Sequence, residues 1–360
     1  PARVANLEKK PLGRRRFGQL IGLGIGASAL PAVASVGLPA AKPRLIKPPR
    51  LKPGDTVGLL TPSGHADQEK IDKCVANLQS LDLRVKLGKN IRAQRGNFAG
   101  TTRQRLEDLH GMFADPEVKG IWAAHGGSGA IGLLGALDYE LIRRNPKVFV
   151  GYSDITALHL AILRRTGLVT FHGPVASSTF SEYSVSHLRS VLMAPRPEYV
   201  ISMAEENRLK AADAPNFALR TLRPGVAEGT LVGGNLSLLA ALVGTPYAAD
   251  FNNAIVFLEE IGEAPYRIDR MLTQLELSQG LRQAAATMLG VFEKCGPPDS
   301  DPSLSLDETI DDHLGASTVP AVYGYSFGHI AHQFTLPMGL KARLDSQQQT
   351  LTLLEPAVSA

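Results

Sequence analysis

A serine stands where an apolar run gives way to a helical pattern, in Lys147-Val148-Phe149-Val150-Gly151-Tyr152-Ser153-Asp154-Ile155-Thr156. A small residue two positions before the serine permits a tight strand-to-helix turn. Such a turn lifts the hydroxyl to the carboxyl end of a sheet, where open α/β folds bind ligands. The amides of the following helix can stabilise developing negative charge there. The second glycine usual in such elbows is replaced by Ile155, and a serine in this place also serves as a helix cap. A second segment, His125-Gly126-Gly127-Ser128-Gly129, again lies between strand and helix patterns. Its spacing matches neither the P-loop nor the dinucleotide fingerprint. A glycine loop of this kind can expose backbone amides as an oxyanion or carboxylate cradle. A third, Phe257-Leu258-Glu259-Glu260-Ile261-Gly262-Glu263, puts acids at the end of an apolar strand, and a fourth, Gly324-Tyr325-Ser326-Phe327-Gly328-His329, ends on a histidine. Singly, the acid reads as a solvated strand end and the histidine as a turn residue. Together they supply what a serine nucleophile needs: a base, and an acid that orients the base. Ser153, Glu259 and His329 are the candidates, in that chain order.

Three of the nine histidines compete for the role of base: His125, His172 and His329. His125 sits in the glycine loop, where a cation could meet a substrate carboxylate, so it is a binding candidate with Gly126 and Ser128. His172 follows a strand and precedes Gly-Pro, and reads as a supporting or structural residue. The amides of Gly127 and Asp154 are the oxyanion candidates.

The elements that must position these residues follow from periodicity. Strands are expected at Thr56–Leu60, Leu83–Leu87, Val118–Ala124, Lys147–Val150 and Leu168–Phe171, with helices at 66–82, 101–114, 130–144 and 155–165 between them. Alternating strands and helices imply a mostly parallel, three-layer α/β domain over 51–180. Residues 181–227 lose that rhythm and read as an interdomain connection. A β-rich α+β domain is expected over 228–357. It has helices at 236–243 and 266–277, strands at 254–258, 287–292 and 319–323, and a hairpin over 342–354.

The sequence pI of about 9.0 invites a nucleic-acid reading. Residues 1–34, however, hold six basic side chains and one acid, Glu8. Removing those six from 38 and that acid from 34 leaves 32 basic and 33 acidic residues, so the body offers no phosphate-binding argument. Arg14-Arg15-Arg16-Phe17 precedes an uncharged, Gly- and Ala-rich run, and Ala32-Val33-Ala34 is a small-residue cleavage candidate. That layout is a twin-arginine export signal over 1–34, followed by an extended, Pro-bearing linker over 35–50. The glycines and prolines make a poor spanning helix, so no stable membrane insertion is expected after cleavage, and the protein is expected to be exported, in the periplasm. Cys74 and Cys295 read as lone core thiols, with a disulfide open because of the leader.

The four chemical segments, taken with Phe98-Ala99-Gly100-Thr101, His172-Gly173-Pro174, Gly233-Gly234-Asn235-Leu236 and Pro265-Tyr266-Arg267-Ile268-Asp269-Arg270-Met271-Leu272, resemble the LD-carboxypeptidase family. That family includes the muramoyltetrapeptide carboxypeptidases and the microcin C immunity hydrolases. The resemblance covers about residues 50–355. It implies a triad on Ser153, Glu259 and His329, an N-terminal domain similar to class I glutamine amidotransferases, a C-terminal β-rich domain and commonly a homodimer, with no cofactor or metal. The implied reaction cleaves the amide between an L-centre and a terminal D-amino acid, diaminopimelate and D-alanine in a murein tetrapeptide. No nucleic-acid partner is implied. Two departures stand out: His125-Gly126-Gly127-Ser128-Gly129 replaces the usual Arg-Gly-Gly-Tyr-Gly, and Glu260 stands where Asp is frequent. One rival reading is a hydrolase of microcin-like peptidyl nucleotides, which would call for aromatic stacking, with Trp122 the chain's only tryptophan. The other is a murein-peptide binder without activity.

Overall fold

The computed structural model describes residues 43–298 and 302–360, which belong to one compact unit. The expected export signal over 1–34 and the first half of the expected linker, 35–42, lie outside the described residues. In chain order the first half runs β1 (Thr56–Leu60), α1 (Gln68–Gln79), β2 (Arg84–Leu87), α2 (Thr102–Ala114), β3 (Val118–Ala123), α3 (Tyr139–Arg144), β4 (Val148–Gly151), α4 (Thr156–Thr166), β5 (Phe171–His172) and α5 (Glu182–Leu192). The second runs β6 (Tyr199–Ile201), α6 (Glu205–Lys210), β7 (Arg220–Arg223), β8 (Val226–Asn235), α7 (Leu236–Leu242), β9 (Ala254–Ile261), α8 (Pro265–Gln279), β10 (Ala286–Glu293), α9 (Leu306–Leu314), β11 (Ala321–Gly328), β12 (Leu336–Pro337), β13 (Lys341–Asp345) and β14 (Thr350–Leu353).

Two sheets result. The first has the order β12-β5-β4-β3-β1-β2, with its β5-to-β2 strands parallel and β12 antiparallel at the edge. The second has the order β6-β14-β13-β8-β9-β10-β11-β7; its middle strands β8 to β11 are parallel and its flanks antiparallel. The fold is therefore α/β, with a parallel N-terminal sheet and a β-rich C-terminal part, as the sequence pattern implies. Buried strands explain the continuous apolar runs: every residue of β4 and β11 is buried. A single hydrophobic cluster reaches from Leu51 to Val358 and takes in both sheets.

Local chemistry sets the boundaries. Thr101 opens α2 with a capping box: its hydroxyl accepts from the Gln104 amide while the Gln104 side chain reaches back. The single helix expected over 130–144 is split. Ala130–Ala136 winds as a 3-10 helix, and Asp138 then caps α3 by accepting from the Leu141 amide at 2.8 Å. Gly132 and Gly135 weaken helix formation there, and Asp138 offers a better start. The strand expected at Leu168–Phe171 is shorter and later, Phe171–His172.

Two boundary expectations are corrected. Residues 181–227 are not a loose connection: α5 and α6 form there, and β6 and β7 become the two edges of the second sheet. β7, Arg220-Thr221-Leu222-Arg223, is short and charged, which suits a sheet edge and hides it from an apolar-run search, while β6, Tyr199-Val200-Ile201, spans only three residues. The described end of the expected linker, 43–50, is not free either. Ile46 exchanges backbone hydrogen bonds with Gly167 and Val169, and Arg50 donates to Ser359. The two domains also interlock, because β12 comes from the C-terminal half and pairs with β5. Cys74 and Cys295 are buried and free, and burial pushes both thiols up to about 12.

Candidate active site

β4 leads into the turn that carries Ser153. A Cβ added at Gly151 would lie 2.9 Å from the Ile155 side chain, so a small residue is required where the chain doubles back. Ser153 itself adopts φ 65°, a left-handed conformation that costs a non-glycine residue roughly 1–3 kcal/mol. Strain of this kind is kept where surrounding structure imposes it, and here it lifts the hydroxyl clear of the first sheet. From the second sheet, Glu259 near the end of β9 and His329 immediately after β11 reach the same place. The hydroxyl of Ser153 lies 3.0 Å from His329 Nε2, and His329 Nδ1 lies 2.7 Å from Glu259 Oε2. A carboxylate can only accept, so Nδ1 carries the proton and Nε2 of the neutral ring is free to accept from the serine. The sequence candidates Ser153, Glu259 and His329 are thus brought into one hydrogen-bonded chain across two sheets.

Charge is balanced tightly. Burial would push the His329 imidazole down, but the Glu259 charge and hydrogen bond, aided by Glu260 and Glu293, outweigh it and leave its pKa raised. Burial would push Glu259 up, but His329 outweighs it and holds the carboxyl below the usual range. Glu260 points elsewhere: it accepts from Asn235 Nδ2 at 2.9 Å, from the Ser237 amide at 2.8 Å and from its hydroxyl at 2.7 Å. Burial and the neighbouring Glu259 charge raise its pKa. The extra methylene of Glu260 is therefore spent on tying β8 and α7 to β9.

The glycine loop flanks the serine. A Cβ added at Gly126 would stand 3.0 Å from Ser153 Oγ and 3.4 Å from the Asp154 amide nitrogen, so Gly126 borders a slot between the hydroxyl and that amide. Asp154 lies in the first turn of a 3-10 helix, where N–H groups have no partner within the helix. Gly127, at φ 111°, continues the loop in a conformation that favours glycine. An open cavity here is lined by His125, Gly126, Gly127, Tyr152, Ser153, Val175, Ser177, Ser178 and His329.

Two of the residues expected to bind substrate, Ser128 and His125, have protein partners of their own. Ser128 does not line this cavity; its hydroxyl accepts from Asn97 Nδ2 at 2.8 Å. His125 does line it, but not as a cation: Nε2 donates to the His65 carbonyl at 2.8 Å, and burial, with Lys70 nearby, lowers its pKa. The ring anchors the loop. His172 is fully buried and held neutral by burial, at about 4, and its ring packs against Tyr152, Phe257 and Phe327 beneath the chain of three. Trp122 offers no stacking face: it is fully buried and donates to the Pro174 carbonyl at 3.0 Å. Sequence reasoning missed Tyr152, whose ring stands edge-on to His329 at 4.9 Å, and the wall of Val175, Ser177 and Ser178. Tyr152 was visible beside the serine, but no spacing rule signals such a wall. Among the described residues no group of three or more His, Cys, Asp or Glu side chains is arranged to hold a metal ion.

Residues 57–173 match the LD-carboxypeptidase N-terminal domain and residues 228–344 the LD-carboxypeptidase C-terminal domain. The chain belongs to the LD-carboxypeptidase family. Membership makes it a serine-type carboxypeptidase. It is 41% identical over 313 residues to a probable murein peptide carboxypeptidase of Bacillus subtilis, covering 87% of this chain and 95% of that one. It is 33% identical over 298 residues to the murein tetrapeptide carboxypeptidase of Pseudomonas aeruginosa, covering 81% and 94%. Among solved structures, an MccF-like protein from Bacillus anthracis superposes with a TM-score of 0.76 at 30% identity, covering 86% and 99%. The carboxypeptidase is thus similar to relatives along almost their whole length.

Proposed function

We propose that this carboxypeptidase removes the terminal D-alanine of murein tetrapeptides by acyl transfer to Ser153. The observation that carries the reading is the Ser153–His329–Glu259 chain, with hydrogen bonds of 3.0 and 2.7 Å. Ser153 Oγ attacks the carbonyl of the L-centre while His329 Nε2 takes its proton. The tetrahedral oxyanion is met by the amides of Asp154 and Gly127. His329 then gives the proton to the leaving amine, and D-alanine departs. Water, activated by the same ring, hydrolyses the acyl-enzyme. Glu259 holds the ring in the required tautomer and stabilises its cation.

Among the described residues no lysine or arginine side chain lines the cavity around Ser153. Amides and hydroxyls such as Ser177 are therefore the groups offered to the substrate's terminal carboxylate. The buried position of Trp122 weighs against a peptidyl-nucleotide substrate that would need it for stacking. The paired arginines and uncharged leader support export by the twin-arginine route, with the mature enzyme acting in the periplasm; the family resemblance supports a homodimer. Mass spectrometry of defined muropeptides tests the substrate. Loss of one alanine from tetrapeptides, with tri- and pentapeptides untouched, is expected; cleavage of a peptidyl nucleotide with tetrapeptides untouched would overturn it.

A further inference from the structure

The turn Thr61-Pro62-Ser63-Gly64 and the side chain of Asp154 have no part in the chemistry above, yet both are buried against it. Asp154 is 4% exposed, and its Oδ2 accepts two hydrogen bonds: from the Ser63 hydroxyl at 2.6 Å and from the Ala130 amide at 2.8 Å. Ala130 closes the glycine loop. Arg105, also buried, donates to the Gly129 carbonyl at 3.0 Å and to the Pro62 carbonyl at 3.1 Å, and its charge interacts with Asp154. The Gly64 amide donates to the Gly126 carbonyl at 3.1 Å. The loop 126–130 is therefore tied at both ends to the turn 62–64 and to the residue next to the nucleophile.

We propose that the Asp154 carboxylate is a positioning group that clamps the two halves of the oxyanion hole together. This rests on the serine-hydrolase reading above. Asp154 offers one donor through its own amide, and its side chain fixes the loop that carries the other, Gly127. Gly127 and Gly129 sit at φ 111° and 105°, a region where glycine moves freely, so an untied loop would let the Gly127 amide swing. Donors stabilise a transition state only if they are oriented before it forms. An ordinary helix cap would come from the residue at the helix start, but that residue is Gly129, which has no side chain to offer. The acceptor comes instead from the nucleophile's neighbour, and Arg105 offsets the cost of burying its charge.

The test is the rate at which a fluorophosphonate labels Ser153 in the whole protein. In that reaction the Ser153 Oγ–P bond forms, the P–F bond breaks, fluoride leaves and the serine proton passes to His329. The phosphoryl oxygen occupies the oxyanion hole, so the rate reads the hole without depending on the peptide. Asp154→Ala should label about 10²-fold more slowly. Asp154→Asn, whose amide oxygen still accepts from both donors, should recover to within about tenfold of wild type. Near-UV circular dichroism should be the same in all three, which a general loss of structure would not allow. Labelling of Asp154→Ala within about threefold of wild type, or an Asn variant as slow as the Ala variant, would overturn the clamp. If Asp154→Ala does not fold, Ser63→Ala takes its place, with a loss of about tenfold expected and an unchanged rate contradicting the clamp. A wild-type protein that is not labelled at all would refute the serine-hydrolase reading, and the clamp with it.

Discussion

At His329 burial and charge pull the imidazole in opposite directions, and Glu259 decides the outcome. The ring acts as base only when neutral, so activity falls as pH drops through its raised pKa. The acid limb of kcat/KM should therefore lie above about pH 6.5, the ordinary histidine value. Glu259→Gln removes the charge that holds the pKa up and leaves burial in place. The limb should then move to lower pH while kcat falls by about 10³–10⁴-fold, because a neutral amide no longer stabilises the cation or fixes the tautomer. A pH–rate profile of both proteins checks this; a limb that stays where it was would mean that another group titrates. The three residues concerned were legible in the sequence through their places at strand ends. Their partners were not. Nothing in the spacing tells that the Ser128 hydroxyl turns to Asn97, or that His125 is pinned to the His65 carbonyl and kept neutral.

At the scale of elements, the site is made of turns held by strands. Gly126 is the sharpest case, since a methyl group there would press within about 3 Å of the serine hydroxyl and fill the slot beside the Asp154 amide. Gly126→Ala puts its Cβ 2.9 Å from Ser153 Cβ, so the two turns must move apart by a few tenths of an ångström; the protein should still fold, yet kcat should fall by about 10²-fold or more, as displacements near 1 Å do. Steady-state kinetics beside a melting curve would show it; an unchanged kcat would mean that the carbonyl binds elsewhere. Apolar runs and period gave β1, β2, β3, β4, β9, β10 and β11, with α1, α2, α4, α7 and α8, but not α5, α6 or α9. Edge strand β7 escaped because a charged sequence such as Arg220-Thr221-Leu222-Arg223 reads as loop until a neighbouring strand is known, and β6 escaped because Tyr199-Val200-Ile201 is too short to stand out. The break in the helix over 130–144 escaped because Asp138 can cap a helix or sit inside one, and only the packing decides.

Over the whole molecule, the proposed nucleophile Ser153 comes from one sheet and the proposed base and acid, His329 and Glu259, from the other. Activity thus depends on the seam between them, where the Asn235 amide donates to Thr156 Oγ1 at 3.0 Å and β12 crosses to pair with β5. The order of segments made both halves readable in the sequence, but their meeting was implied only by family resemblance, because distant strands carry no mark of their mutual position. Among the described residues no helix is long and apolar enough to cross a membrane. Replacing Arg14 and Arg15 with lysine should leave precursor in the cytoplasm, as fractionation and blotting would show; undiminished mature protein outside the inner membrane would refute the twin-arginine route. The central claim is that Ser153 is the nucleophile, and turnover of purified murein tetrapeptide by Ser153→Ala tests it most directly. The account predicts a variant that melts within a few degrees of wild type and loses turnover by about 10⁴-fold or more. A variant that keeps about a tenth of wild-type turnover on the same peptide would contradict it.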